Sequence, residues 1–155
     1  MKVKFLLFFA CLCSFMGAWA QDFGLSLNIS TANQATINYD AASGIYTITT
    51  TGEDPFVSIN ALTSALPDDQ CVLTFDYQCA PATTGGLQIC FSPTYSEARS
   101  IKCADLANTS EWTTFSKEMK NTISNLGWGA AKSVMRIDWG GRSGVTIKVK
   151  NLRFR

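Results

Sequence analysis

The sequence contains no histidine among its 155 residues, which removes the commonest general base and metal ligand. Ser-His-Asp and Cys-His nucleophilic sites both need an imidazole. Two carboxylates could still act as acid and base, as they do in glycoside hydrolysis. The adjacent acidic pairs are Glu53-Asp54 and Asp68-Asp69, and both lie in turn-like segments where solvated side chains are the usual outcome. The sequence therefore predicts a protein that is not an enzyme.

Aromatic residues in loops offer a different chemistry, the recognition of sugars. The C–H surfaces of a sugar ring stack on aromatic side chains, and its hydroxyl groups pair with planar polar groups. Trp128, which stands between two glycines, is the first choice for such a contact. Tyr95 is the second, with Arg99 nearby as a hydrogen-bond donor. The alternative for Trp128 is burial beneath the sheets, the common outcome for large aromatic side chains.

Four cysteines, Cys71, Cys79, Cys90 and Cys103, follow the N-terminal segment. In an exported chain an even number suggests disulfides, here with three possible pairings. Strand alternation places Cys90 on the opposite face of its strand from its apolar neighbours, whereas Cys103 lies on the same face as Ile101. Directly opposed residues of a ladder share a face, so a Cys90–Cys103 bond is disfavoured. Because buried cysteine also behaves as a small apolar residue, the pairing stays open. The lack of C-x-x-C spacing and of histidine disfavours zinc.

The N-terminus has the pattern of a secretory signal peptide. A basic start, Met1–Lys4, precedes the apolar run Phe5–Phe15 and the small-x-small site Ala18–Ala20. We therefore predict a signal peptide over residues 1–20 and a single β-sandwich domain over residues 21–155, exported to the periplasm, the cell surface or the medium. The alternative is a lipoprotein signal, since Cys11 and Cys13 lie within the apolar run.

The charge balance points to no polyanionic partner. The chain carries a net charge of +1, and removing Lys2 and Lys4 leaves 11 basic against 12 acidic residues. This balance excludes nucleic acid as an expected partner, and no second apolar run is long enough to span a bilayer. Six basic residues nevertheless follow Met135: Arg136, Arg142, Lys148, Lys150, Arg153 and Arg155.

Alternation of apolar and polar residues with a period of two dominates the chain and predicts strands. The expected strands are 35–39, 45–51, 56–59, 72–79, 87–92, 100–103, 113–117, 134–139 and 145–154. Eight or nine short strands separated by turn residues indicate an all-β fold, an antiparallel β-sandwich or jelly roll. Trp112 and Trp139 begin and end strands in the phase of the buried residues, so we predict structural roles for both.

The last strand shows a change of phase. Val145, Ile147 and Val149 alternate inward, but Leu152 and Phe154 continue the apolar face only if one extra residue is inserted. A β-bulge near Lys150-Asn151 would re-aim the strand without ending it. We therefore expect the chain to finish on a strand within the sheet, with its basic residues on a solvated outer face.

Several of these segments resemble the galactose-binding-like jelly rolls, which include many carbohydrate-binding modules of secreted bacterial glycan-degrading proteins. In that group an E-W-T-x-F strand precedes a loop, an R-I-D-W-G strand and a closing I-K-V-K-N-L-R strand. The resemblance covers most of Gln34–Arg155 and rests on Leu73–Tyr77, Leu87–Phe91, Glu111–Phe115, Met135–Gly140 and Val145–Phe154. The four cysteines are not a feature of the group.

The resemblance implies a non-catalytic binding module, with a glycan as ligand and a downstream catalytic module or a surface protein as further partner. The alternative function is a structural or protein-interaction domain that docks through its basic terminal strands. Related modules often hold a structural calcium ion, to which Asp138 or Asp40 would contribute. No oxygen-rich loop of the D-x-D-x-D-G kind is present, so no cofactor is expected on the residues alone. An outward Asp138 beside Arg136 is more simply a cross-strand charge partner.

Overall fold

The computed structural model of the protein describes residues 22–62, 70–91, 96–119 and 136–155, which form two antiparallel sheets. Sheet A has the order β3-β4-β11-β6-β9, and β1 also pairs with β11. Its strands are β1 (Phe23–Gly24), β3 (Ala35–Asp40), β4 (Ile45–Thr50), β6 (Val72–Ala80), β9 (Thr109–Glu118) and β11 (Thr146–Phe154).

Sheet B has the order β2-β5-β10-β7-β8. Its strands are β2 (Leu27–Asn33), β5 (Phe56–Ile59), β7 (Gln88–Cys90), β8 (Ser100–Lys102) and β10 (Arg136–Asp138), and a 3₁₀ turn at Glu97–Arg99 leads into β8. The predicted antiparallel β-sandwich is thus confirmed. The two N-terminal strands were not predicted, and β9 begins four residues before its predicted start. None of the described segments forms a helix long and apolar enough to cross a membrane.

The core lies between the two sheets and follows the predicted alternation. Phe75 of β6 stacks on Phe115 of β9 with ring centroids 4.6 Å apart, and it meets Trp139 edge-on at 5.8 Å. Trp139 is 1% exposed, which confirms its structural role. Burial of large side chains of this kind stabilises a fold by about 1.5–3 kcal/mol each.

The predicted bulge in the last strand is present. Lys150 lies opposite Asp76 and Arg153 lies opposite Thr74, so two residues of β11 face one residue of β6. Asn151 takes the extra position with a positive φ of 54°, a conformation that asparagine tolerates better than most residues. Its side-chain amide donates a hydrogen bond of 2.7 Å to the Asp76 carboxylate. Leu152 and Phe154 therefore return to the core.

The two ends of the described chain meet in sheet A. Phe23 lies opposite Phe154 and Gly24 opposite Arg153, and the Asp22 carboxylate pairs with the Arg153 guanidinium at 2.7 Å. The predicted signal peptide, residues 1–20, lies outside the described residues.

The expected outward positions of the basic residues in the last strand are confirmed, because they alternate with the buried residues of β11. The basic residue of β10 lies apart from them, because β10 belongs to sheet B whereas β11 belongs to sheet A. The expected core position of Trp112 is wrong. Trp112 is not in the core; it is 37% exposed. Since Phe115 faces inward, Trp112, three residues earlier, falls on the outer side of the strand. The four cysteines Cys71, Cys79, Cys90 and Cys103 are free thiols, two of them buried and two half-buried.

Candidate functional site

The outer surface of sheet A carries an exposed tryptophan among polar side chains. In β6 the residues that alternate with the buried ones point away from the core, and they lie opposite the outward residues of β9 and β11. We call this surface the Trp112 face and define it by Asp76, Gln78, Trp112, Lys148 and Lys150. Together these side chains offer an aromatic plane, an amide, one carboxylate and two ammonium groups.

Trp112 reaches this surface by alternation from the inward Phe115, and it lies within an irregularity of β9. Tyr77 lies opposite Thr113 and Cys79 opposite Thr109, so three residues of β9 span a single residue of β6. The Thr109 hydroxyl stabilises this bulge. It accepts a hydrogen bond from the Glu111 N–H at 3.1 Å and donates one to the Glu111 carbonyl at 3.0 Å. The Gln78 amide donates to the Ser110 carbonyl at 2.6 Å, which anchors the bulge to β6.

A groove of about 190 Å³ runs beside the bulge. Apolar surface makes up most of its lining, with hydroxyl, amide and ammonium groups placed among it; the lining is formed by Gln78, Cys79, Ala80, Thr109, Ser110, Thr146 and Lys148. Lys148 and Gln78 lie directly opposite each other on neighbouring strands. The groove therefore offers several hydrogen-bonding groups at the base of an open sheet surface.

The two lysines of the Trp112 face are held differently. The Lys150 ammonium lies 4.0 Å from the centroid of the Trp112 ring, close enough for a cation–π contact that holds the ring in place. Lys148 is exposed and makes no hydrogen bond or ion pair with any residue in the described ranges. Its charge is therefore available to a ligand.

Asp76 is the carboxylate of this surface and is already engaged. One oxygen accepts a hydrogen bond from the Thr114 hydroxyl at 2.8 Å, and the other accepts from Asn151. The hydrogen bond from Asn151 is the main cause that holds the pKa of Asp76 below its ordinary value, although partial burial opposes it. A carboxylate that stays ionised and engaged in this way orders the surface and is poorly suited to donate a proton.

At the centre of the outer surface of sheet B, on β10, residues of the same kinds are paired with each other and mostly buried. Arg136 and Asp138 lie two residues apart on β10 and form a bidentate pair, Nε–Oδ1 at 2.6 Å and Nη2–Oδ2 at 2.8 Å. The Arg136 guanidinium also lies 3.5 Å from the centroid of the Phe56 ring. Only 19% of the Arg136 side chain and 10% of the Asp138 side chain are exposed. The partner of Asp138 is thus on its own strand, and the predicted cross-strand pairing is wrong.

The carboxylates proposed for calcium are occupied by protein groups. Both oxygens of Asp138 pair with Arg136, and burial raises the pKa of Asp138 in spite of this guanidinium. Asp40 accepts hydrogen bonds from the Ala42 N–H at 3.0 Å and the Ser43 hydroxyl at 2.5 Å within its own turn. These arrangements do not fit a calcium ligand set, and the described residues include no cluster of three or more acidic, cysteine or histidine side chains that could hold a metal.

The structure describes one of the three sugar-binding residues predicted from the sequence. Trp128 and Tyr95 lie outside the described residues. Arg99 is exposed at the end of the 3₁₀ turn before β8, on an edge of sheet B and not on the Trp112 face. The structure does not bring Arg99 and Trp112 onto one surface. Trp112 was missed as a binding candidate, and the signal that finds it is the inward phase of Phe115 in the same strand.

Known structures with a similar fold include several carbohydrate-binding modules. A family 29 carbohydrate-binding module from Piromyces equi, CBM29_1, superposes with a TM-score of 0.58 at 11% identity and covers 84% of this chain and 79% of its own. A mutant of a second family 29 module, CBM29-2, complexed with cellulohexaose gives a TM-score of 0.56 at 16% identity, covering 84% and 80%. No family model matches the sequence, and no curated protein matches it either. At these identities the likeness establishes the β-sandwich fold of carbohydrate-binding modules.

Proposed function

We propose that this protein is a non-catalytic carbohydrate-binding module whose ligand lies on the Trp112 face. The observation that carries the proposal is the exposed Trp112 beside a groove lined with hydrogen-bonding groups. An indole plane provides the stacking surface that a sugar ring needs, and the Gln78 amide and the Ser110 and Thr146 hydroxyls can serve its hydroxyl groups. The fold shared with carbohydrate-binding modules supports the same proposal.

A tryptophan at the centre of a binding surface commonly contributes 2 kcal/mol or more to affinity. We therefore expect Trp112→Ala to weaken glycan binding by roughly 30-fold or more, with little change in stability because the side chain lies outside the core. The test is a glycan-array screen of the protein and this variant, with circular dichroism to check that the variant is folded. Trp112→Phe, which keeps an aromatic plane, should retain part of the affinity.

Trp128, Tyr95 and Arg99 remain a predicted second binding region. Trp128→Ala in the same screen separates the two regions, because each variant should abolish binding only at its own surface. Binding that survives Trp112→Ala and disappears in folded Trp128→Ala would overturn the Trp112 site and support the loop residues instead.

The alternative, a structural or protein-interaction domain, relied on a basic surface formed by the terminal strands. Its charges are divided between the two sheets, and Arg136 and Arg153 are paired with acidic residues. This division favours the carbohydrate proposal. Absence of binding to every glycan on the array would favour the structural or protein-interaction domain.

Binding without turnover is part of the proposal. The described residues that line the groove include no carboxylate, and Asp76, on the same face, is engaged on both oxygens. Incubation of the protein with any glycan that it binds should release no new reducing ends. Release that persists in a purified sample and is lost on mutation of a carboxylate would contradict this part.

We also propose that the protein is exported and cleaved after Ala20, and that it acts together with a catalytic module or a surface protein. The support is the basic, apolar and small-residue order of residues 1–20. Mass spectrometry of the exported product should give a chain beginning at Gln21. A lipid-modified product beginning at Cys11 or Cys13 would support the lipoprotein alternative.

A further inference from the structure

The charged groups of the Trp112 face do not balance. Asp76 faces Lys150 across the β6–β11 ladder, and its ionised form is favoured in part by Lys150 and Arg153. Arg153 has a partner of its own in Asp22. Of the three basic side chains of β11, Lys148 is the one that faces no acidic residue of the described chain, and it is the lysine that lines the groove.

The unpaired ammonium group in the groove affects which ligands can bind there. When a ligand covers Lys148, the ammonium loses water, and this loss costs free energy unless a group on the ligand replaces the lost hydrogen bonds. A neutral hydroxyl replaces them weakly, whereas a carboxylate or sulfate forms a charge-assisted hydrogen bond about twice as strong. The nearby Lys150, two residues along the same strand, is opposed by Asp76, so the excess positive charge of the Trp112 face lies at Lys148.

We infer that the ligand of the Trp112 face is an anionic glycan, with one sugar on Trp112 and an acidic group of the chain paired with Lys148. The inference rests on the proposed carbohydrate function and narrows it to glycans that carry a carboxylate or sulfate. Two lysines form too small a basic surface for general polyanion binding, so recognition depends on sugar stacking as well as charge. The negative charge of Asp76 is offset by Lys150, which lies directly opposite it on β11, so its repulsion of an acidic ligand is small.

The test uses pairs of polymers that differ only in charge. Polygalacturonate is compared with fully methyl-esterified pectin, and a glucuronoxylan with its carboxyl-reduced form, by affinity electrophoresis and calorimetry. The protein should bind each acidic polymer about tenfold more tightly than its neutral partner at low salt, and the difference should shrink at high salt. A sulfated galactan and its desulfated form distinguish sulfate from carboxylate as the preferred group, and either preference supports the inference.

Lys148→Met removes the charge and keeps most of the apolar stem. This variant should bind the acidic polymers about tenfold more weakly and lose much less affinity for their neutral partners, so that the preference for acidic polymers disappears, and Lys148→Arg should restore that preference. The matched control is Lys102→Met, an exposed lysine of sheet B that pairs with Glu97 at 3.3 Å and should change nothing.

The outcomes separate the inference from the proposed function. Equal binding of acidic and neutral polymers, with no effect of Lys148→Met, would overturn the anionic ligand and leave the carbohydrate function standing. Absence of binding to every polymer and to the glycan array would overturn both.

Discussion

The outer surfaces of the two sheets are made from similar residues and differ in what those residues contact. On sheet B, Arg136 lies on an aromatic ring and pairs with a carboxylate, and both partners are mostly buried. On sheet A, Lys150 also lies on an aromatic ring, but Trp112 remains 37% exposed and the neighbouring Lys148 has no partner among the described residues. On β10 the charged groups are paired with each other, whereas on the Trp112 face a positive charge and part of an aromatic ring remain exposed to a ligand.

This difference shows that outward orientation and availability are separate properties. Strand alternation determines which residues leave the core. Whether they remain available to a ligand depends on their neighbours. An arginine and an aspartate that lie two residues apart on one strand can form an ion pair, whereas two lysines in the same positions cannot. The pairs Arg136–Asp138 and Lys148–Lys150 are examples of the two cases.

The sharpest contrast should appear in thiol chemistry. Burial raises the pKa of the Cys90 thiol to about 12, on the closed surface of sheet B. A thiol placed in the groove by Lys148→Cys should have an ordinary pKa and react with iodoacetamide on the order of 10³-fold faster at pH 8, because only the thiolate reacts. Peptide mapping by mass spectrometry separates these sites from the other cysteines. Similar rates at both positions would show that the surface of sheet B is open.

The next largest effect concerns the buried ion pair. Asp138→Ala leaves the Arg136 guanidinium poorly exposed and without its bidentate partner, so the free energy of unfolding should fall by about 3 kcal/mol. Urea denaturation measures the change. The double variant Arg136→Met with Asp138→Leu should recover much of the loss, because neither charge is then buried. By comparison, Lys148→Met on sheet A should change stability by less than about 0.5 kcal/mol.

The bulge that shapes the Trp112 face provides a third test. Asn151→Ala removes the hydrogen bond to Asp76 and places alanine, which tolerates a positive φ less well than asparagine, at a φ of 54°. The free energy of unfolding should fall by about 2 kcal/mol. Asn151→Gly removes the same hydrogen bond without the backbone cost and should lose about 1 kcal/mol less. Equal losses would mean that the backbone conformation contributes nothing.

The smallest expected effect is a dependence on pH. The pKa of Asp76 is lowered in the folded protein, chiefly by the hydrogen bond from Asn151. Its ionised form therefore stabilises the fold above the unfolded pKa of about 3.9, and this stabilisation is lost as the pH falls through the folded pKa. The difference in stability between the protein and Asp76→Asn should be about 0.5–1 kcal/mol near pH 6 and should vanish towards pH 2. A constant difference across this range would exclude the ionised carboxylate as its source.

Much of the fold could be predicted because its rules are local. The phase change between Val149 and Leu152 is visible in the sequence, and one extra residue is the only way to keep both apolar sets in the core. The short strand at Phe23–Gly24 could not be predicted, because it is defined by its partner at the other end of the chain. The same holds for the separation of β10 and β11 into different sheets, since the glycine turn between them fits either arrangement.

The site was harder to predict because it depends on an irregularity. The outward position of Trp112 follows from the inward phase of Phe115, but the bulge beside it, in which three residues of β9 span one residue of β6, leaves no signal in the alternation. Lys148 could be placed on an outward position from the sequence. Its lack of a partner could not, because this depends on which strands lie on either side of β11.

The meeting of the two ends in sheet A has a consequence for how the sandwich can be cut and joined. Phe23 and Phe154 are direct neighbours, so in a chain trimmed to residues 22–155 a short flexible linker could connect the two ends without disturbing the sheet. New ends could then be opened at the exposed turn Asp40–Gly44, where two strands are joined only by a surface loop. Such a circular permutant would keep every strand pairing, and the same adjacency would let the whole sandwich be inserted into a surface loop of a host protein through one narrow junction.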